Sequence, residues 1–248
     1  MTQYGFFFDQ SRCNNCHVCS IACRDWNGIE PGPVKWVRMM QWEKGAFPVP
    51  AMHTLFATCY HCENPVCVDA CTNGALFKED EFGAVLLDED KCRGCRQCWL
   101  ACPYGAPQYA DNAIGTPMSK CTMCYDKLVQ GELPVCVASC PQRALDFGPL
   151  EEMEERYGSV HELEDMPDGS VVKPAVVFKP RAERKTLVPY DPVEAARLMG
   201  GRIDQLPDLY DDPSFAIEYD PAIVGYNTLV MKASSVEETL ARSKNEDG

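Results

Sequence analysis

Apolar residues along this chain come in short runs, interrupted every few positions by cysteine, glycine or proline. No run approaches the roughly 20 uninterrupted apolar residues that a membrane-crossing helix needs, so no direct span is expected. Val and Leu in Ala84–Asp88 predict a strand. Further on, helical spacing recurs at Leu150–Tyr157, Val193–Met199 and Val236–Ser243, with proline-punctuated extended pieces such as Val171–Pro180 between them. Residues 151–248 bury little on their own and read as an extension. The recurring apolar groups Phe215-Ala216-Ile217 and Ala222-Ile223-Val224 favour an arm that wraps a partner over a partly disordered tail.

Cysteine changes this picture. All sixteen cysteines of the 248 residues fall between Cys13 and Cys140, a density that marks either a disulfide scaffold or a metal protein. They form four groups. Cys13, Cys16, Cys19 and Cys23 follow the spacing C-x2-C-x2-C-x3-C, and so do Cys92, Cys95, Cys98 and Cys102. In Cys59, Cys62, Cys67 and Cys71 the middle gap grows to four residues, and in Cys121, Cys124, Cys136 and Cys140 to eleven. Three thiolates this close can wrap one 4Fe-4S cube, each on a different iron. The cysteine three residues further on is expected to begin a helix that leads away, and to ligate the neighbouring cube.

Similar text follows the last three groups: Thr72-Asn73-Gly74-Ala75, Pro103-Tyr104-Gly105-Ala106 and Pro141-Gln142-Arg143-Ala144. Groups two and three have the span of a two-cluster ferredoxin, which makes residues 52–110 an inner module inserted into an outer one built from 1–51 and 111–150. The nesting assigns Cys13, Cys16, Cys19 and Cys140 to one cluster and Cys121, Cys124, Cys136 and Cys23 to its neighbour. In the inner module, Cys59, Cys62, Cys67 and Cys102 hold one cube, and Cys92, Cys95, Cys98 and Cys71 the other. Sequential pairing, first group with second and third with fourth, is the rival arrangement. The fold class expected is α+β: two interleaved bacterial-ferredoxin-like modules with four 4Fe-4S clusters over residues 1–150, then a mostly irregular arm.

Disulfide scaffolds do not repeat a ferredoxin spacing, and zinc sites set two C-x2-C knuckles apart instead of crowding three ligands together. His17 and His61 lie inside loops that already have four cysteines, so both are read as neighbours that could donate hydrogen bonds rather than as ligands. Seven basic residues, Arg12, Arg24, Lys91, Arg93, Arg96, Lys120 and Arg143, lie within three positions of a cysteine. Each either raises a cluster potential or is a solvated surface charge. Aromatics such as Trp26, Trp36, Trp42, Trp99 and Phe6–Phe8 are assigned to packing.

A net charge of −14 argues against nucleic acid and anionic membrane surfaces as partners. The sequence lacks a nucleotide loop, a nucleophile elbow, a zinc-protease helix and an open metal position. No catalytic site is expected, and four closed clusters on one polypeptide suit electron transfer.

The protein resembles the four-cluster iron–sulfur subunits of the dimethyl sulfoxide reductase family of molybdopterin oxidoreductases. The likeness rests on Tyr4-Gly5-Phe6-Phe7 before Ser11-Arg12-Cys13, on Cys102 through Pro103-Tyr104-Gly105-Ala106-Pro107-Gln108-Tyr109, and on Lys120-Cys121 with Cys124-Tyr125-Asp126. It continues through Cys136-Val137, Ser139-Cys140-Pro141 and Arg143–Pro149, with a weaker echo at Lys173-Pro174-Ala175. The resemblance implies the nested pairing, a large catalytic partner carrying the molybdenum or tungsten pterin that this chain lacks, and often a membrane anchor exchanging electrons with quinone. It places the protein as soluble or peripheral at the bacterial cytoplasmic membrane, on the cytoplasmic side or exported with its partner. Nitrate-reductase relatives carry tryptophan at the second position of the third group, which leaves a 3Fe-4S centre; Cys95 stands here, so four cubanes are expected. A free polyferredoxin is the alternative.

Overall fold

The computed structural model describes residues 2–45 and 50–182. The first strand, β1 (Tyr4–Asp9), carries the run Phe6-Phe7-Phe8, and alternation along the strand sends Phe6 and Phe8 to one face and Phe7 to the other. Both faces are covered, which is why the run is continuously apolar. Next come α1 (Val18–Trp26), the hairpin β2 (Arg38–Lys44) and β3 (Ala51–Ala57), and a single turn, α2 (Val66–Asp69). The short pair β4 (Leu76–Lys78) and β5 (Val85–Leu87) lies between the second and third cysteine groups, and β5 falls within the span where the sequence predicts a strand. After α3 (Gln97–Ala101) come the minimal strands β6 (Gln108–Tyr109) and β7 (Met118–Ser119), then the turns α4 (Tyr125–Leu128) and α5 (Val135–Ala138). The described part closes with β8 (Leu145–Pro149), α6 (Leu150–Tyr157) and β9 (Val176–Lys179).

The central sheet has the order β8-β1-β9. β8 pairs antiparallel with β1, setting Phe147 opposite Phe6, and β9 pairs parallel with it, setting Val176 opposite Phe6. A strand before the first cysteine loop is thereby joined to one that follows the last. One face buries Phe6, Phe8, Phe147, Val176 and Phe178 with Phe56 of β3 and Tyr60 of the second loop. The other face packs Phe7, Val177 and Ala175 under Leu150 and Met153 of α6, and the Tyr157 ring stacks on Phe7 with centroids 3.6 Å apart.

Residues 151–179, assigned to the extension by sequence, are built into this sheet and its covering helix. The chain divides into two units between Lys185 and Thr186, and the described residues fall in the first. Val176, Val177 and Phe178 are fully buried because β9 is the inserted partner of β1. The weak sequence echo around Lys173 also has a place: Glu63 and Asn64 of the second loop donate backbone hydrogen bonds to the carbonyls of Lys173 and Val172 at 2.8 and 3.1 Å, and Ala175 donates to Tyr60 at 3.0 Å. The helical patterns at Val193–Met199 and Val236–Ser243, and the apolar groups at 215–217 and 222–224, lie outside the described residues.

Candidate metal centres

Each cysteine loop is shaped by backbone that turns left-handed at the same place. The second residue after the first cysteine has positive φ in all four: Asn15 (59°), His61 (45°), Gly94 (64°) and Met123 (62°). Such a residue reverses the chain within three positions, and non-glycine residues hold it at a cost of about 1 kcal/mol. Amide N–H groups then face sulfur. Asn15 donates to Cys13 Sγ at 3.5 Å and Met123 to Cys121 Sγ at 3.3 Å. Beyond the loops, Leu76 donates to Cys71 Sγ, Met118 to Cys92 Sγ and Ala144 to Cys140 Sγ, each at 3.4 Å. Two side-chain contacts join them: Tyr109 Oη lies 3.5 Å from Cys98 Sγ, and Asn27 Nδ2 lies 3.7 Å from Cys23 Sγ.

The fourth cysteines differ from expectation in one respect. None begins a helix. Cys23 lies inside α1, while Cys71, Cys102 and Cys140 follow the short helices that carry or adjoin the third cysteine of their groups. The helical turn therefore fills the x3 gap, and since 3.6 residues make a turn, cysteines four apart emerge on one side of it. After Cys71, Cys102 and Cys140 the backbone turns left-handed again three residues on, at Gly74, Gly105 and Arg143. That shared turn is the physical content of the repeated text seen in the sequence.

The loops bring cysteines of different groups together. Cys13, Cys16, Cys19 and Cys140 line one apolar cavity with Phe8, Met39 and Leu145. Cys59, Cys62, Cys67 and Cys102 line a second, and Cys71, Cys92, Cys95 and Cys98 a third. Cys23, Cys121, Cys124 and Cys136 are all buried. Cys121 and Cys124 are the nearest charged neighbours of both Cys23 and Cys136, raising their pKa values after burial has already pushed them up. Only Cys16 and Cys95 are exposed.

This donor set fits iron cubes. Burial pushes the thiols of Cys19, Cys67 and Cys121 up to about 12, and neighbouring cysteines add to the rise. Thiolates packed so closely in an apolar cavity need a compensating cation, which ligated iron supplies. Among the described residues, no three His, Cys, Asp or Glu side chains converge as the ligands of a single metal ion would. A tetrahedral zinc site requires that convergence, whereas a cube spreads its four thiolates over four irons. His17 is exposed, while His61 is completely buried, its Nδ1 accepting the Val85 N–H at 2.9 Å. Neither that contact nor the sulfur contact from Tyr109 carries a signal in the sequence, because each joins residues that only the fold brings together.

Comparison with known proteins agrees with this chemistry. A protein-family profile described as a 4Fe-4S dicluster domain matches residues 51–150. The protein is 41% identical over 196 residues to the iron–sulfur subunit of anaerobic dimethyl sulfoxide reductase from Escherichia coli (strain K12), covering 74% of this chain and 92% of that one. This protein belongs to the family of dimethyl sulfoxide reductase iron–sulfur subunits. Other relatives carry different names. A sulfite dehydrogenase subunit of Allochromatium vinosum is 34% identical over 222 residues, covering 80% of this chain and 90% of its own length. The thiosulfate reductase electron transfer subunit PhsB of Salmonella typhi is 36% identical over 154 residues, covering 61% and 79%. As a member of the dimethyl sulfoxide reductase iron–sulfur family, the protein is an electron-transfer subunit of an oxidoreductase complex.

Proposed function

We propose that the protein holds four 4Fe-4S clusters through its sixteen cysteines and relays electrons between a molybdopterin catalytic subunit and a quinone-linked membrane subunit or a soluble redox partner. The observation that carries this reading is the composition of the three cavities, each lined by three cysteines of one loop and the last cysteine of another. The fourth set is then Cys121, Cys124, Cys136 and Cys23, and the domain plan is an inner module of residues 52–110 within an outer one. Each cluster supplies a one-electron couple.

Adjacency supports a linear order. Cys19 and Cys23 share α1, linking the sets of the first and fourth loops. Cys59 and Cys121 belong to one buried apolar group, linking the fourth set to the second, and Cys98 raises the pKa of Cys67, linking the second set to the third. Exposed Cys16 and Cys95 then mark the two ends. The protein's own work is to exclude water, to aim amide N–H groups at sulfur and to fix the spacing from one set to the next. No side chain of this protein is assigned a role in substrate chemistry. Molybdenum or tungsten, the substrate and the side of the membrane belong to the partners.

Substitution of single cysteines tests the pairing. Iron and sulfide analysis with EPR on the purified complex should show that Cys140→Ser alters the centre of the first loop and leaves the fourth-loop centre a cubane. If Cys140→Ser instead alters only the centre held by Cys121, Cys124 and Cys136, the exchange of fourth ligands is wrong.

A further inference from the structure

Of the seven basic side chains near the cysteine loops, Arg12, Arg24, Lys91, Arg93, Arg96 and Arg143 all reach solvent. Lys120 does not; it is 4% exposed. The residue leads from β7 into the fourth loop, one position before Cys121, yet its side chain crosses to the inner module. Nζ donates to the carbonyl of Val85 in β5, 35 positions away in sequence, and to the carbonyl of Cys121 at 2.8 Å. It also lines the cavity of Cys59, Cys62, Cys67 and Cys102. One ammonium therefore stands between the second and fourth cysteine sets, at the seam of the two modules.

Both acceptors of this ammonium are carbonyl oxygens and neither is a carboxylate. The same Val85 that accepts from Lys120 donates its N–H to His61 Nδ1. A ring nitrogen that accepts a hydrogen bond carries no proton, so His61 is neutral, with its proton on Nε2. Burial, with Lys120 and then Lys78 nearby, holds the imidazole well below its ordinary pKa. A buried ammonium without a carboxylate costs several kcal/mol unless negative charge lies close by. Thiolate-ligated clusters on both sides would supply that charge. Consistently, Lys120 acts to lower the pKa of Cys67 on one side and of Cys121 on the other, against the upward push of burial.

We propose that Lys120 is the tuning residue of the two central clusters, those of Cys59, Cys62, Cys67 and Cys102 and of Cys121, Cys124, Cys136 and Cys23, its buried ammonium favouring their reduced forms. The inference rests on the ligand sets proposed above. Reduction adds a negative charge to a cluster, and a fixed cation in a water-poor interior favours that step much more than an exposed one does. Lys120 lines neither the cavity of Cys13, Cys16, Cys19 and Cys140 nor that of Cys71, Cys92, Cys95 and Cys98, so the end clusters lie outside its reach. Its effect is to set the energy of electron passage from one module to the other.

EPR-monitored redox titration of the purified complex tests this with Lys120→Gln, Lys120→Met and Lys120→Arg, and with exposed Arg93→Gln as the control. Each neutral Lys120 variant should lower the reduction equilibrium of the two central clusters at least tenfold, about 59 mV for a one-electron couple, with the end clusters unmoved. Lys120→Arg keeps the charge but spreads it over a guanidinium, so it should shift the same pair by less. Arg93→Gln should leave the central pair unchanged. Wild-type iron content with no shift in the central pair, or with an equal shift in all four, overturns the inference. Should neither neutral variant hold iron, Lys120→Arg decides: a shift confined to the central pair upholds the role, and four unchanged potentials remove it. Fewer than four clusters in the wild-type protein would instead overturn the ligand sets themselves.

Discussion

Two glycines show how differently the same backbone conformation can matter. Gly94 and Gly74 both have φ near 60°, a region that costs an L side chain about 1 kcal/mol. A Cβ on Gly94 would collide with the backbone of Gly115 and Thr116, coming within 2.8 Å of Gly115 Cα, whereas a Cβ on Gly74 meets nothing within 4 Å. Gly94→Ala should therefore cost about 3 kcal/mol or more, because strained backbone adds to the clash, and should deplete the third-loop cluster. Gly74→Ala should cost about 1 kcal/mol and keep full iron content. Thermal melts with iron analysis compare the two. Sequence places both glycines beside cysteines but cannot distinguish them, since the 115–116 backbone reaches Gly94 only in the folded protein.

At the scale of elements, α6 and β9 are the least legible part of the described chain. The helical spacing of Leu150–Tyr157 is readable, and α6 has those bounds. Its seat against Phe7 is not, because that contact joins segments about 150 positions apart. Met153 is 1% exposed at the centre of that contact. Met153→Ala should destabilise the protein by about 2–4 kcal/mol through the cavity it leaves, while the cluster EPR signals stay unchanged. A denaturant melt of the complex with parallel spectra checks both halves. β9 is hidden for a related reason: a four-residue strand gains its stability from pairing, and its partner β1 lies at the other end of the described chain.

At the scale of the molecule, the sheet order β8-β1-β9 ties both ends of the described residues together around the cysteine loops. A truncation ending at Ala182 keeps β9 and the hydrogen bond from Arg181 N to Gln10 Oε1 at 2.9 Å, and should retain its iron. A truncation ending at Tyr157 loses the fully buried Val176, Val177 and Phe178 of β9 and should be recovered without iron. Purification of both truncations with metal analysis measures this. If the shorter form holds full iron, the sheet is dispensable. We further propose that the residues beyond Ala182 form the partner-binding arm, in which case the form ending there should hold iron yet fail to co-purify with the catalytic subunit.

Sequence by itself determined the chemistry. Sixteen cysteines in four spaced groups specify local loops, and each loop needs only its own few residues to curl around a cube, so spacing was enough to read it. Tertiary structure decided what the spacing leaves open: which distant cysteine joins each loop, which two sulfurs reach the surface, and which of seven nearby cations is buried. Those properties depend on long-range packing, and Lys120 illustrates the limit. In sequence it is one of several basic residues beside cysteines. Only the fold carries its ammonium across to Val85 and away from solvent, where one charge can act on two cysteine sets.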